Sequence, residues 1–433
     1  MNVGFVSLGC SKNLVVTEEV IGLFKKHKFN IVNNQEKADI IVINTCGFIE
    51  SAKQEAIDTI LEMAELKNKR CKYLIAIGCM VERYEKELKK AIPEVDLFIK
   101  ISDYNNMWSK ISELLQIERT NPCLKWEDRV ITTGETMAYL KIAEGCSNHC
   151  TYCAIPKIQG KYVSRKFEEI IEEAKMLAKR GIKELIIIAQ DTTKYGIDIY
   201  NRPRLAELLD ELSNIEEIKW IRFLYAYPET INDELINVVK NNEKICKYFD
   251  IPIQHISDSI LKRMNRKSSG ESIERLVKKI RSEIPNVILR TTLIVGFPGE
   301  TEEDFNKLYK FVDNAKFDKL GVFTYSKEDG TPAAEFKGQV HYNTKKSRYN
   351  KIMKLQQEIS EKSLKEKIGN VYTTLIEEKS FDNKYLVGRT YMDVPDMDGV
   401  VFIDNNTEEE LIGKFVNVKI VDKKEYDLIG KIV

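Results

Sequence analysis

The chain has 433 residues, 43% of them hydrophobic and 31% charged, a composition that suits two to four globular domains and excludes a disordered or fibrous protein. No apolar run reaches the roughly eighteen residues a membrane span needs, and the N-terminus lacks a basic region followed by a short apolar run, so a cytoplasmic protein with no membrane partner is expected. Lysine plus arginine equals aspartate plus glutamate, 67 of each; a generic nucleic-acid binder carries a basic excess, so no DNA partner is expected and an RNA partner is disfavoured.

Residues 1–118 alternate strand-like and helix-like segments. Gly4 to Ser7, Asp39 to Ile43 and Lys72 to Ile77 read as strands, and Leu14 to Lys26, Ser51 to Leu66 and Glu82 to Ala91 as helices. This rhythm predicts an open parallel α/β domain. Cys10, Cys46 and Cys79 each follow one of these strands and each adjoins a glycine: Gly9, Gly47 and Gly78. In such a sheet the carboxyl ends of the strands share one edge, where ligands bind. Any one of the three alone reads as a buried free thiol; three in equivalent loops point to a shared iron–sulfur cluster. Residues 119–136 carry no clear period. Asn121-Pro122 and Thr132-Thr133-Gly134 mark turns, so the stretch reads as a linker.

Residues 137–340 repeat the rhythm six times. The strands are Ala138 to Ala143, Glu184 to Ala189, Lys219 to Leu224, Tyr248 to Ile253, Ile288 to Val295 and Lys319 to Thr324, with helices such as Phe167 to Arg180 and Thr301 to Asn314 between them. Six units predict a (β/α)6 partial TIM-like barrel, because a closed eight-unit barrel takes about 250 residues. The first strand leads into Cys146-Ser147-Asn148-His149-Cys150-Thr151-Tyr152-Cys153. Four cysteine thiolates are the usual complement of a cubane cluster; three on one tight loop leave one iron for an exchangeable ligand. Zinc is the competing reading, but zinc loops usually pair two short Cys-x2-Cys elements, or cysteine with histidine, and only His149 is near. The loop falls on the C-terminal face, where barrel enzymes keep their chemistry. Gln190, Asp191, Tyr225, Tyr227, Gln254, His255, Tyr325 and Ser326 share that face, as does the turn Gly296-Phe297-Pro298-Gly299-Glu300, whose tight backbone before a helix suits a ribose or carboxylate.

Residues 341–367 read as a solvated connecting helix. Five short segments follow in residues 368–433: Val371 to Glu377, Tyr385 to Gly388, Val400 to Ile403, Phe415 to Ile420 and Leu428 to Val433. They predict a small β-barrel of oligonucleotide-binding type. It carries thirteen acidic residues against eight basic ones. Phosphate backbones bind through lysine and arginine, so this barrel suits a basic protein better. Of the nine cysteines, Cys71, Cys123 and Cys246 lie outside these patterns and read as structural.

Taken together, the chain resembles the methylthiotransferases of the radical S-adenosylmethionine (SAM) superfamily, over essentially its whole length. Ser7-Leu8-Gly9-Cys10-Ser11-Lys12-Asn13, Asn44-Thr45-Cys46-Gly47-Phe48-Ile49, Ala143-Glu144-Gly145-Cys146, Ala189-Gln190-Asp191-Thr192-Thr193, Leu224-Tyr225-Ala226-Tyr227-Pro228 and Ile253-Gln254-His255 carry the resemblance. They are most similar to the branch that modifies an aspartate of small-subunit ribosomal protein twelve; the transfer-RNA adenosine branch is the alternative. Val15-Val16-Thr17 departs from the pattern, where an acidic residue before a serine is common. The resemblance implies two [4Fe–4S] clusters, one on Cys10, Cys46 and Cys79 and one on Cys146, Cys150 and Cys153, and SAM as both methyl donor and radical source. A radical would remove the unactivated β-hydrogen that no side-chain base can take. Tyr152, Gln190, Gly296 and Glu300 are the candidate SAM-binding residues, and no side chain is assigned a catalytic role. A TRAM-like identity for the last barrel, a one-electron reductase and a sulfur donor are implied as well.

Overall fold

The computed structural model describes residues 1–118, 123–405 and 409–433; the turn expected at Asn121-Pro122 lies outside them. Among the described residues no helix is long and apolar enough to cross a membrane.

Strands β1 (Asn2–Ser7), β2 (Asn30–Val32), β3 (Ile40–Thr45), β4 (Tyr73–Gly78) and β5 (Leu97–Ile99) form one parallel sheet in the order β2-β1-β3-β4-β5. Every residue of β3, Ile-Ile-Val-Ile-Asn-Thr, is buried, as a parallel strand covered on both faces must be. Helices α1 (Ser11–Lys26) and α4 (Met107–Leu115) pack one face, and α2 (Glu50–Glu65) and α3 (Cys79–Ala91) pack the other. The sequence reading misses β2, β5 and α4; the two strands have three residues each, too few to show a period. They matter, because they reveal that strand order reverses between β1 and β3. At such a reversal the flanking helices part and a crevice opens at the strand ends.

In the central domain β6 (Met137–Lys141), β9 (Glu184–Ile188) and β10 (Trp220–Phe223) form one parallel ladder. Strands β11 (Tyr248–Gln254), β12 (Ile288–Val295) and β13 (Lys319–Thr324) form a second. A bridge between Ile221 and Ile245 and a hydrogen bond from the Ala226 N–H to the Asp250 carbonyl, 2.9 Å, link them. The six strands are those predicted, within two residues at each end. A short ribbon, β7 (Ala143–Glu144) with β8 (Val163–Ser164), and the helix α5 (Ile155–Gln159) follow β6, and α6 (Phe167–Lys179) then covers the sheet.

The helix Tyr342–Lys365 is not merely solvated. Arg348, Ile352, Leu355, Gln356 and Ile359 are buried along it, at the spacing of one helical face. Ile352, Leu355 and Ile359 join the barrel core, and Gln356 donates to the Phe317 carbonyl at 2.8 Å. The charged residues around this narrow stripe hide it from a reading of composition.

Strands β14 (Val371–Lys379), β15 (Tyr385–Thr390), β16 (Val401–Asp404), β17 (Phe415–Lys423) and β18 (Leu428–Ile432) close into the predicted small barrel, in the order β14-β15-β16-β18-β17. It docks where the central strands begin. Arg389 meets Glu184 at 2.6 Å, Tyr248 donates to Asp398 at 2.7 Å, Lys319 meets Asp393 at 2.8 Å, and Trp220 packs edge-on to Phe415. One apolar cluster runs through both barrels. The opposite end of the central strands is left to the loops that carry cysteine.

Candidate metal centres

Cys10, Cys46 and Cys79 lie immediately beyond β1, β3 and β4, three adjacent strands at the point where strand order reverses. The neighbouring glycines let the loops close. A Cβ at Gly9 would stand 2.6 Å from the Cys46 Cβ, one at Gly47 would stand 2.7 Å from the Met80 Cα, and one at Gly78 would stand 2.4 Å from Asn44 Oδ1. Asn13 ties the loops together: its Nδ2 donates to the carbonyls of Leu8 (3.0 Å) and Thr45 (3.2 Å), and its Oδ1 accepts from the Cys79 thiol at 3.7 Å. Cys79 opens α3, where the helix dipole favours a thiolate. Burial wins, and with the fields of Cys46 and Cys10 it pushes the Cys79 thiol up to about 12. Burial also raises Cys46.

The second triad hangs on a loop fixed from several sides. Gly145 has φ +65, and a Cβ there would stand 2.1 Å from the Lys161 carbonyl oxygen; this close approach lets β7 fold back on β8. The Cys146 N–H donates to the Gly160 carbonyl (3.1 Å), the Thr151 N–H to Met264 (3.1 Å), and the Ala333 N–H to the Thr151 carbonyl (2.9 Å). Asn148 donates to Asp191 at 2.8 Å, and Asn265 to the His149 carbonyl at 2.9 Å. His149 itself has φ +50, the turn that returns the chain to Cys150. Burial, with the fields of Cys150 and Cys146, pushes the Cys153 thiol up to about 12, and burial raises Cys146.

All nine cysteines are free thiols. Burial disfavours the thiolates of Cys46, Cys79, Cys146 and Cys153, and a bound cation reverses that balance by deprotonating a coordinating thiol. Among the described residues no three His, Cys, Asp or Glu groups converge on a point that would hold a single ion. A cubane binds its thiolates at separate corners, so the two donor sets fit iron–sulfur clusters. Cys71 and Cys246 are buried, as structural residues should be, whereas Cys123 is exposed.

The N-terminal triad meets the central domain at Cys79. Cys79 packs directly on Ala154 and Ile158, residues that follow Cys153 and enter α5. Gln159, at the end of α5, places its Nε2 3.9 Å from the Cys79 sulfur and accepts from Gln190 Nε2 at 2.7 Å. A second contact holds the domains together beside Gly47. Arg83 donates to the Gly47 carbonyl (2.6 Å) and pairs with Glu328 (3.3 Å), which also takes Lys53 (3.3 Å) and the Glu50 N–H (3.1 Å). A cavity of about 210 Å³ borders the cysteine loop, lined in part by Asn148, Cys150, Tyr227 and Arg266.

Of the four residues proposed for SAM, Tyr152 packs edge-on to Phe297 of the glycine turn and is thereby placed beside Gly296. Gly296 has φ +72 and lies under the Lys345 side chain. Glu300 accepts from the N–H groups of Gly296 and Phe297 and pairs with Arg348 at 3.3 Å, so its carboxylate braces the turn. Gln190 reaches towards the N-terminal triad through Gln159. The sequence reading overlooks Gln159, Arg83, Glu328 and Lys12. Gln159 and Glu328 carry no local signal, because Cys79, Arg83 and Lys53, which they meet, lie in another domain.

Residues 2–100 match uncharacterized protein family UPF0004, residues 140–312 the radical SAM superfamily, and residues 368–433 the TRAM domain. A ribosomal protein uS12 methylthiotransferase RimO from Alkaliphilus oremlandii is 67% identical over 433 residues, covering 100% of this chain and 99% of its own length. The chain belongs to the RimO family. RimO proteins from Clostridium novyi and Clostridioides difficile are 53% and 51% identical, covering 99% and 100% of this chain and 97% and 99% of their own lengths. Among solved structures, the radical SAM methyltransferase TsrM from Kitasatospora setae, with cobalamin and a [4Fe–4S] cluster, superimposes with a TM-score of 0.57 at 12% identity, covering 77% of this chain and 73% of its own. The cobalamin-dependent enzyme OxsB gives 0.53 at 13% identity, covering 83% of this chain and 56% of its own. At these identities the likeness is one of fold alone, and the RimO assignment rests on the sequence relatives.

Proposed function

We propose that this protein is a radical SAM methylthiotransferase that places a methylthio group on the β-carbon of an aspartate in ribosomal protein uS12. The observation that carries this reading is the packing of Cys79 on Ala154 and Ile158, which sets two cysteine triads across one domain interface in a chain 67% identical to RimO. Cys10, Cys46 and Cys79 would hold one [4Fe–4S] cluster, and Cys146, Cys150 and Cys153 the other. When bound, the clusters and SAM supply a 5′-deoxyadenosyl radical and a methylated sulfur, chemistry that belongs to the cofactors rather than to side chains.

The chain's own residues bind, orient and exclude water. Asn148, Asn265 and the Thr151 backbone fix the barrel loop, and Asn13 fixes the opposing loops. Tyr152 and Gly296 line the SAM side, Glu300 braces the turn that presents them, and Gln190 acts from the second barrel strand. The Arg83–Glu328–Lys53 contact keeps the domains closed over the site. Radical formation consumes an electron and each product carries away a sulfur, so a one-electron reductase and a sulfur donor complete the system. The division into residues 1–118, 137–340 and 368–433, joined by residues 119–136 and 341–367, and a cytoplasmic location beside the ribosome belong to the same proposal.

Anaerobically reconstituted protein, incubated with SAM, reductant, sulfide and either uS12 or transfer RNA, tests this reading. Mass spectrometry should find uS12 heavier by one methylthio group in place of one hydrogen, with the nucleosides unchanged. A modified adenosine with unmodified uS12 would overturn it.

A further inference from the structure

Lys12 is not one of the six triad cysteines, and it lies at the contact between the N-terminal and central domains. It lies in the first turn of α1, two positions beyond Cys10, and is only 8% exposed. Its ammonium stands 3.4 Å from the centroid of the Tyr225 ring, which follows β10 in the central domain. Among the described residues it has no ion-pair partner. Asp250, whose field reaches it, is occupied by Arg290 at 3.0 Å and by the Tyr225 N–H at 2.9 Å. Tyr225 also hydrogen-bonds the ammonium, and the field of Cys10 favours it more than that of Asp250 does; no carboxylate among the described residues pairs with it.

One further observation points to an anionic guest. Helix α1 is sixteen residues long, its cap residue Cys10 makes no side-chain capping bond, and its first turn holds no acidic residue. Its first N–H groups and positive dipole end therefore add to the charge of Lys12. Tyr225, whose ring the ammonium faces, has φ +61, an uncommon conformation for a residue other than glycine.

We propose that Lys12 receives the side-chain carboxylate of the substrate aspartate and so holds the adjacent β-carbon at the interface of the two triads. This rests on the function proposed above. The β-carbon is one bond from that carboxylate, so fixing the one positions the other. An asparagine or a nucleobase offers no negative charge for the ammonium to pair with.

The test uses reconstituted protein without reductant and two peptides spanning the target loop of uS12, one with the aspartate and one with asparagine in its place. Fluorescence anisotropy should show the wild type binding the aspartate peptide about tenfold or more tightly, the scale of one charge-assisted hydrogen bond. Lys12→Met should bind both peptides equally, at the weaker level, and Lys12→Arg should recover part of the preference, with iron and sulfide per chain unchanged in both. A Lys12→Met protein that keeps the preference overturns the proposal. So does one that loses iron from the N-terminal triad, because Lys12 would then serve the thiolates. If the wild type modifies uS12 while Lys12→Met keeps the preference, only this inference falls; if the wild type neither binds nor modifies uS12, the functional reading falls and takes the inference with it.

Discussion

Gly9 shows how much of the site turns on single atoms. It has φ +88, and a methyl group there would press on Cys46 at 2.6 Å. Gly9→Ala should therefore part the N-terminal triad while leaving the barrel triad intact. Iron should fall from about eight to about four per chain, the content of one cubane, and reductive cleavage of SAM to 5′-deoxyadenosine should persist. Cys146→Ala combined with Cys150→Ala and Cys153→Ala should likewise leave about four irons but abolish that cleavage. Iron analysis and chromatography of the nucleoside product distinguish the two. At this scale the sequence is unusually legible, because a ligand's identity and its local spacing are both written in the chain. Lys12 is the counterexample. It stands two residues beyond Cys10, yet its burial and its lack of a carboxylate are properties of the domain interface.

Among the elements, the connection after β13 does more than join. Glu328 is buried against Arg83 and Lys53, each 3.3 Å away. Removing one member of a buried ion cluster strands the others and costs about 3–5 kcal/mol, somewhat less where the partners keep some exposure. Glu328→Ala should lower stability by about 3 kcal/mol in denaturant titration and speed hydrogen exchange in α2 and α3. Strand and helix ranges in the central domain follow the sequence closely, because six repeats of one rhythm reinforce one another. Strands β2 and β5 escape for lack of length, and the buried stripe of the helix Tyr342–Lys365 escapes because lysine and glutamate surround it.

Over the whole molecule, a buried pair of arginines joins the last barrel to the central one. Glu184 takes Arg222 at 3.0 Å and Arg389 at 2.6 Å. Burial pushes the Glu184 carboxyl up, but Arg389 and Arg222 together outweigh it and hold the group below its ordinary value. A carboxyl depressed in the fold contributes stability above its unfolded pKa, about 4.3, and gives it up as pH falls through the folded value. Melting temperature should therefore be insensitive to this group near neutrality and decline below about pH 4.3. Glu184→Gln should lower it at neutral pH and flatten the acid decline, as calorimetry across that range would show. The same docking puts the acidic barrel where the central strands begin, at the end opposite the cysteine loops. Its charge can hold a basic part of the substrate only at a distance from the reacting carbon.

By itself the sequence determined the two cysteine triads, the α/β rhythm, the order of three domains and the family. These are local facts, carried by residue type, spacing and period. Only the tertiary structure decided that strand order reverses between Cys10 and Cys46, that Cys79 rests against the residues following Cys153, that Lys12 is buried over Tyr225, and that the last barrel closes the far end. Each depends on which distant segments share a core, and packing over hundreds of residues leaves no period in the chain to be read.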